Sequence, residues 1–312
     1  MPSSTSSFRR FVVTFVLCSS IIGGVGLAGT EYLVRTHIAP NHNKYAYLEL
    51  FKRAPVDGAV FGDSMMEGGY VGKANMLNLA QGGEAFFSME KRIRLYVDMH
   101  QPKRLIIQAG VHHFAPSWST NGKSDISGFK EALNENFSPL LMSMHAFHRH
   151  EIFLYWKKWL EGSEFISTRA LGAFGGVTNL EDYSKENAEQ KAIALRQEAN
   201  YWSGIPVPDT SAVGAGLIDL LDYLNGRNIE LCLVTLPVVK PMQELLRERP
   251  RVAEVINFFK NTADAHHAQY VNYINLDLAE DYFADQWHLN QKGARVFTDL
   301  VDRSCFNGAM SN

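Results

Sequence analysis

The chain has 312 residues, of which 46% are apolar, and it carries 33 acidic and 30 basic residues. This length and apolar content allow one large buried core and exclude an intrinsically disordered composition. The net charge of −3 excludes the strongly basic surface that is typical of nucleic-acid-binding proteins, so no nucleic acid is expected among the partners.

The N-terminus predicts a membrane anchor. Arg9 and Arg10 precede an apolar run from Phe11 to about Gly29, which is long enough for a helix to cross a bilayer. Basic residues before such a run keep the N-terminus cytoplasmic. We therefore expect residues 1–30 to form a single-pass signal anchor in the inner membrane, with the rest of the chain periplasmic or otherwise extracytoplasmic. A signal cleaved after the small residues around Ala28 is the alternative, although the run exceeds the ~7–15 apolar residues of a typical signal core.

The three cysteines are too few for a disulfide scaffold and lack the spacing of a metal site. Cys18 lies in the apolar N-terminal run. Cys232 and Cys305 can pair only if the fold brings them together, which the sequence leaves open.

The next stretch, residues 31–55, is polar and aromatic without clear periodicity and is interpreted as a stalk. In the remaining domain, 56–312, short apolar runs predict buried strands and longer stretches with helical spacing predict helices. The predicted strands cover 56–62, 75–80, 104–110, 229–235 and 270–276, and the predicted helices cover 86–99, 217–225, 252–269 and 291–303. This alternation indicates a three-layer α/β fold whose parallel sheet of about five strands is covered on both faces. Residues of about 115–210 break the alternation and are interpreted as a mostly helical insertion over the strand ends.

Two short motifs supply the parts of a serine nucleophile. Ser64 ends a Gly-Asp-Ser turn directly after the first predicted strand. A serine hydroxyl needs a neighbouring base, and the base needs a carboxylate on its far nitrogen. Asp285 and His288, three residues apart between the last strand and the last helix, supply both. We predict that the three residues converge at the carboxyl edge of the sheet, where such folds bind ligands. The alternative is that Ser64 and Asp285 only cap the helices that follow them.

These motifs resemble the first and last blocks of the SGNH (GDSL-like) hydrolase superfamily: Gly62-Asp63-Ser64 near the start and Asp285-x-x-His288-Leu289 near the end. The resemblance covers about residues 56–303, with the insertion unmatched. It implies an oxyanion hole formed by the amide of Ser64, by Gly82 or Gly83, and by an asparagine in a third block. Here the third block is Gly110-Val111-His112-His113, so His112 stands where asparagine is expected. A histidine can donate one hydrogen bond, so either His112 is the third donor or that donor is lost.

The N-terminal anchor, the altered third block and the ending at Trp287-His288-Leu289-Asn290 resemble a narrower group, the SGNH-like proteins of envelope polysaccharide O-acetylation and teichoic-acid D-alanylation. This resemblance implies an acyl donor, a hydroxyl acceptor on an envelope glycan, and a multipass membrane O-acyltransferase as partner. It implies no cofactor. The expected activity is serine-dependent acyl-ester transfer. The alternatives are an esterase that deacylates glycan or lipid, and a degenerate domain that binds glycan or scaffolds an acyltransferase.

Residues next to the two motifs are predicted to contact substrate. They are Asp63, Glu67, Tyr70, His113 and Trp287. Separately, His145, His148 and His150 form a histidine-rich stretch in the insertion, but no carboxylate or cysteine stands at ligand spacing with them. No metal is expected.

Overall fold

The computed structural model describes residues 5–33, 43–54, 57–119, 157, 160–161, 171–201 and 204–306. The chain divides into two compact units. One comprises Met1–Leu48 and Ser127–Thr168, and the other comprises Glu49–Ile126 and Arg169–Asn312. Much of the predicted insertion, including the histidine-rich stretch at 145–150, lies outside the described residues.

Helix α1, Thr5–Leu33, contains the predicted anchor and ends three residues beyond the predicted boundary at 30. Its segment Phe8–Tyr32 has 25 residues with a hydropathy of 2.2 and is long and apolar enough to cross a membrane. The large apolar side chains of this segment are exposed, for example Phe15 and Ile22. A signal sequence near an N-terminus can also be apolar enough to meet this description.

Part of the predicted stalk is folded. Residues Asn43–Lys52 form helix α2, in which Tyr47, Leu48, Leu50 and Phe51 are buried. The prediction of an aperiodic spacer is therefore wrong for this stretch. Its apolar residues fall within little more than one helical turn, and a cluster that short shows no periodicity in the sequence.

The second unit contains the predicted sheet, with five parallel strands in the order β2-β1-β3-β4-β5. The strands are β1 (Gly58–Phe61), β2 (Met76–Asn78), β3 (Arg104–Gln108), β4 (Glu230–Thr235) and β5 (Gln269–Asn272). Strand β1 is buried along its whole length, and β4 from Leu231 onward. The α/β fold with about five parallel strands is confirmed, and each predicted strand overlaps an observed one.

Helices cover both faces of the sheet. After α2, the described helices are α3 (Ser64–Gly69), α4 (Phe86–His100), α5 (Pro116–Ser119), α6 (Ala188–Tyr201), α7 (Ala212–Asn225), α8 (Lys240–Arg247), α9 (Pro250–Ala265) and α10 (Gln291–Cys305). Cys232 on β4 forms a disulfide with Cys305 at the end of α10. The next residue, Leu233, lines a small cavity together with residues of α4, α7 and α9. Successive strand residues point to opposite faces, so α10 covers one face and α4, α7 and α9 cover the other.

Candidate active site

The turn after β1 places Ser64 at the first position of helix α3. Asp63 caps this helix, because its carboxylate accepts a hydrogen bond of 2.8 Å from the amide of Met65. Its own amide donates to the side chain of Gln108 on the neighbouring strand β3, at 2.9 Å. A Cβ at Gly62 would lie 2.9 Å from Gln108 Cβ and closer still to Met66 Cβ. Glycine is therefore required there. The close approach of Gly62 to strand β3 and helix α3 fixes the path of the chain from β1 to Ser64.

The loop before α10 brings the other two predicted residues to Ser64. His288 Nε2 lies 2.9 Å from Ser64 Oγ, and His288 Nδ1 lies 2.7 Å from Asp285 Oδ2. The second carboxylate oxygen, Asp285 Oδ1, accepts hydrogen bonds of 2.8 Å from the amides of Trp287 and His288. Because His288 follows Asp285 by three residues, the loop can turn around the Asp285 carboxylate and bring both the amide and the ring of His288 to it. Ser64, His288 and Asp285 form one continuous chain of hydrogen-bond contacts.

The electrostatics of this chain favour an ionised Asp285. Burial alone would raise the pKa of Asp285, but the hydrogen bond and charge of His288 and the backbone amides outweigh it, so the pKa is lowered. An ionised Asp285 accepts the proton of His288 Nδ1. That tautomer leaves Nε2 as an acceptor facing the Ser64 hydroxyl, which is the arrangement a general base needs.

The sequence left the choice between Gly82 and Gly83 open, and the structure distinguishes them. A Cβ on Gly82 would lie 3.7 Å from Ser64 Cβ, whereas one on Gly83 would meet nothing within 4 Å. Gly83 has a φ of 73°, so it supplies the left-handed turn. In the described part of the chain, the amides of Ser64 and Gly82 have no hydrogen-bond partner. These two amides are available as oxyanion donors.

The third predicted donor, His112, is used differently. Its Nε2 contacts Asp63 Oδ2, and His113 Nε2 reaches the same oxygen at 3.1 Å. Burial opposes ionisation of Asp63, but both histidines outweigh it and hold its pKa well below the usual range. The ionised carboxylate is an acceptor, so each ring donates from Nε2. Because His112 Nε2 is hydrogen-bonded to Asp63, this nitrogen does not offer its proton to an oxyanion, which favours the alternative that the third donor is lost.

Asp63, His112 and His113 are also the residues, within the described ranges, whose ligand atoms approach closely enough to hold a metal ion, at 4.8 Å or less from one another. This cluster is not evident from the sequence, in which Asp63 and His112 are 49 residues apart. The Nε2 atoms of His112 and His113 both lie within hydrogen-bond distance of Asp63 Oδ2. A proton on each of these nitrogens accounts for the two contacts. Burial and the neighbouring His112 lower the pKa of His113, which is consistent with a neutral ring donating to Asp63.

Three of the predicted substrate contacts are wrong because the side chains are buried: Asp63 and Tyr70 are each 1% exposed and His113 is 2% exposed. Tyr70 instead donates a hydrogen bond to Asp302 on α10. Glu67 and Trp287 are half-buried and remain candidates. One oxygen of Glu67 would lie 2.9 Å from a Cβ on Gly82, so its carboxylate borders the site.

No known family profile matches this chain, and no curated protein matches it. Similar solved structures include a GDSL-like lipase from Bacteroides thetaiotaomicron, with 11% identity, a TM-score of 0.42 and coverage of 86% of this chain and 98% of the other. A psychrotrophic esterase from Pseudoalteromonas has 12% identity, a TM-score of 0.40 and coverage of 80% and 95%. A lipase/acylhydrolase from Enterococcus faecalis has 13% identity, a TM-score of 0.38 and coverage of 79% and 94%. Similarity of this degree does not identify a reaction, so function must be inferred from the site itself.

Proposed function

We propose that this protein is a serine-dependent acyl-transfer enzyme. The observation that carries the proposal is the chain of contacts from Ser64 Oγ through His288 Nε2 and Nδ1 to Asp285 Oδ2, at 2.9 and 2.7 Å. A helix cap needs no imidazole on its hydroxyl, so capping alone does not account for this geometry. The contacts have the lengths and order that an activated nucleophile requires.

The reaction follows from the positions of these groups. His288 Nε2 removes the proton from Ser64 Oγ while that oxygen attacks the acyl carbonyl. The amides of Ser64 and Gly82 donate to the developing oxyanion. His288 then returns its proton to the leaving alcohol, and the acyl group remains as an ester on Ser64. A second hydroxyl attacks this ester and gives its proton to His288. His288 passes that proton to Ser64 Oγ as the acyl group moves to the acceptor, which restores the serine hydroxyl.

We place the reaction outside the cytoplasm, with α1 as a single-pass anchor in the inner membrane. The two arginines before the apolar run support this orientation. The disulfide between Cys232 and Cys305 supports it independently, because disulfides form and persist in oxidising compartments. A C-terminal reporter fusion to alkaline phosphatase should be active, and one to a cytoplasmic reporter inactive. The reverse pattern would refute this location.

Transfer to an acceptor hydroxyl is favoured over fast hydrolysis by the third block. With His112 Nε2 bonded to Asp63, two backbone amides remain as the evident donors. One oxyanion donor is worth about 10²–10³ in rate, so a two-donor hole is a weak hydrolase site. A positioned acceptor can compensate by proximity. The resemblance to envelope-acylation proteins supports an envelope glycan as acceptor and a multipass membrane O-acyltransferase as donor partner.

Hydrolysis of glycan or lipid acyl esters is the second candidate. It is favoured by the half-exposed Ser64, since water can reach the same acyl-enzyme. Purified protein should be given an activated acetyl ester together with an oligosaccharide acceptor, and the ratio of acylated acceptor to free acid measured. Transfer predicts an excess of acylated acceptor, and Ser64→Ala should abolish envelope acylation in cells. Rapid release of free acid, or more envelope acylation in the Ser64→Ala strain, would establish the deacylating esterase instead.

A fluorophosphonate probe tests the chemistry shared by both candidates. We expect it to label the parent protein covalently at Ser64 and to leave Ser64→Ala unlabelled. Equal signals from the two proteins would refute serine catalysis and favour a domain that only binds glycan or scaffolds a partner.

A further inference from the structure

A buried arginine holds both sides of the loop that carries Gly82. Arg92 projects from α4 and is 1% exposed. Its Nη1 donates to the carbonyl of Leu79, at 3.2 Å, just before the loop. Its Nε and Nη2 both contact the carboxylate of Glu84, just after the loop. One guanidinium thus links the residues on either side of segment 80–83.

The first half of this loop is fixed in other ways. The amide of Gln81 donates to the carbonyl of Gly62 at 2.9 Å, and the amide of Ala80 donates to the side chain of Asn78 at 3.0 Å. The second half contains Gly83, whose φ of 73° places it in a region that glycine enters and leaves freely. The contacts of Glu84 therefore hold the far side of a segment that is flexible by composition.

Burial of a charged pair at this position carries a desolvation penalty. Burial lowers the pKa of Arg92 to about 9 and raises the pKa of Glu84, so both charges are disfavoured by their surroundings. Both carboxylate oxygens nevertheless accept from the guanidinium, which indicates the ionised pair. Apolar side chains often replace such a pair without loss of stability. Apolar side chains cannot supply directed hydrogen bonds to the Leu79 carbonyl on one side of the loop and to the Glu84 side chain on the other.

We propose that Arg92 and Glu84 are positioning residues that hold the Gly82 amide at the oxyanion. This inference rests on the proposed acyl-transfer function and adds to it a requirement away from the reacting atoms. Displacement of a donor by about 1 Å lowers a rate about 100-fold. Loss of the pair should therefore slow the chemical step while leaving the contacts between Ser64, His288 and Asp285 intact.

The test uses the double variant Glu84→Leu/Arg92→Met, which removes both charges so that neither is left buried alone. The matched control is Glu90→Leu/Arg94→Met, which removes an ion pair within α4, together with the contact of Arg94 with Asp219, without touching the loop. Full-length proteins in detergent are reacted with a fluorophosphonate, and the maximal labelling rate is separated from probe affinity. The pH profile of the rate and the melting temperature are measured in parallel.

We expect the Glu84/Arg92 variant to label about 10- to 100-fold more slowly, with affinity unchanged within about twofold. The midpoint of the pH profile should stay at the parent value, because His288 and Asp285 are untouched. The control should label at the parent rate. Parent-like labelling by the Glu84/Arg92 variant would overturn the proposal. So would a rate loss that only follows a fall in the folded fraction, or one accompanied by a shifted pH midpoint.

Hydrogen exchange of residues 79–84 separates this inference from the proposed function. If the parent fails to label at Ser64, acyl transfer is refuted, yet faster exchange in the Glu84/Arg92 variant would still support the loop-holding role. If the parent labels and exchange in the variant is unchanged, the positioning role alone is refuted.

Discussion

The hydroxyl of Tyr70 donates a hydrogen bond of 2.7 Å to Asp302, 232 residues away in the sequence. The contact joins α3, which begins at Ser64, to α10, which follows His288. Lys73 also contacts the carboxylate of Asp302. The two halves of the proposed catalytic site are thus tied together at a distance from the reacting atoms.

Replacing Tyr70 with phenylalanine tests this tie. We expect Tyr70→Phe to lower the free energy of unfolding by about 1.5–3 kcal/mol, because the lost hydrogen bond is made to a carboxylate. Chemical denaturation of the detergent-solubilised chain would measure the change. Tyr273→Phe is the control, since the Tyr273 hydroxyl is hydrogen-bonded to neutral groups on α10, the carbonyl of Leu300 and the hydroxyl of Ser304, and this change should cost about 1 kcal/mol. Equal losses in the two variants would contradict a special role for the contact with Asp302.

Asp285→Asn should lower the acylation rate at Ser64 about 10³- to 10⁴-fold, because an amide cannot hold His288 in the required tautomer. The fold should survive, since an asparagine oxygen can still accept from the amides of Trp287 and His288. Labelling kinetics with the fluorophosphonate give the rate. Asp281→Asn is a suitable control, because Asp281 lies in the same loop and pairs with Lys292 instead. A loss below tenfold in Asp285→Asn would exclude Asp285 as the orienting group.

The stability contributed by Asp63 should depend on pH in a predictable direction. The pKa of Asp63 is lower in the folded protein than its ordinary value of about 3.9. Its contribution is therefore fully present above that ordinary value and is lost as the pH falls through it toward the folded pKa. The unfolding free energies of parent and Asp63→Asn should differ most above about pH 5 and converge below about pH 4. A difference that stays constant from pH 7 to pH 3 would refute this linkage.

His112→Asn should restore a third oxyanion donor. An asparagine amide has two N–H donors, so it can serve Asp63 and an oxyanion together. We expect hydrolysis of small acetyl esters to rise about tenfold, somewhat less than the full value of a donor because the contact with Asp63 is rebuilt. The rate of free acid release measures it. An unchanged or lower rate would show that His112 already supplies what asparagine would.

The sheet was predictable because its strands are short apolar runs that end at turn residues, as in Val60-Phe61-Gly62. Ser64, Asp285 and His288 were predictable because their order along the chain places them after strands that share one edge. Helix α3 entered the sequence analysis only as the helix that Ser64 caps in the alternative interpretation, and it had no predicted range because Gly68 and Gly69 obscure its helical spacing. The eight-residue α8 (Lys240–Arg247) was missed because it is too short for periodicity to show.

Which way a side chain faces was harder to predict. Asp63, Tyr70 and His113 stand next to functional residues, and closeness in sequence predicted contact with substrate. In the structure all three side chains are buried instead. The pair of Glu84 and Arg92 was missed for the opposite reason, since a charged residue in an amphipathic helix is normally at the surface. Only a three-dimensional structure shows that Arg92 faces inward beneath the loop.

The disulfide also has a consequence for the biogenesis of this protein. If the domain is exported as proposed, this bond closes only after Ser64, Gly82 and His288 have also crossed the membrane, because Cys305 follows all three along the chain. A copy kept in a reducing compartment would lack the covalent link between β4 and α10.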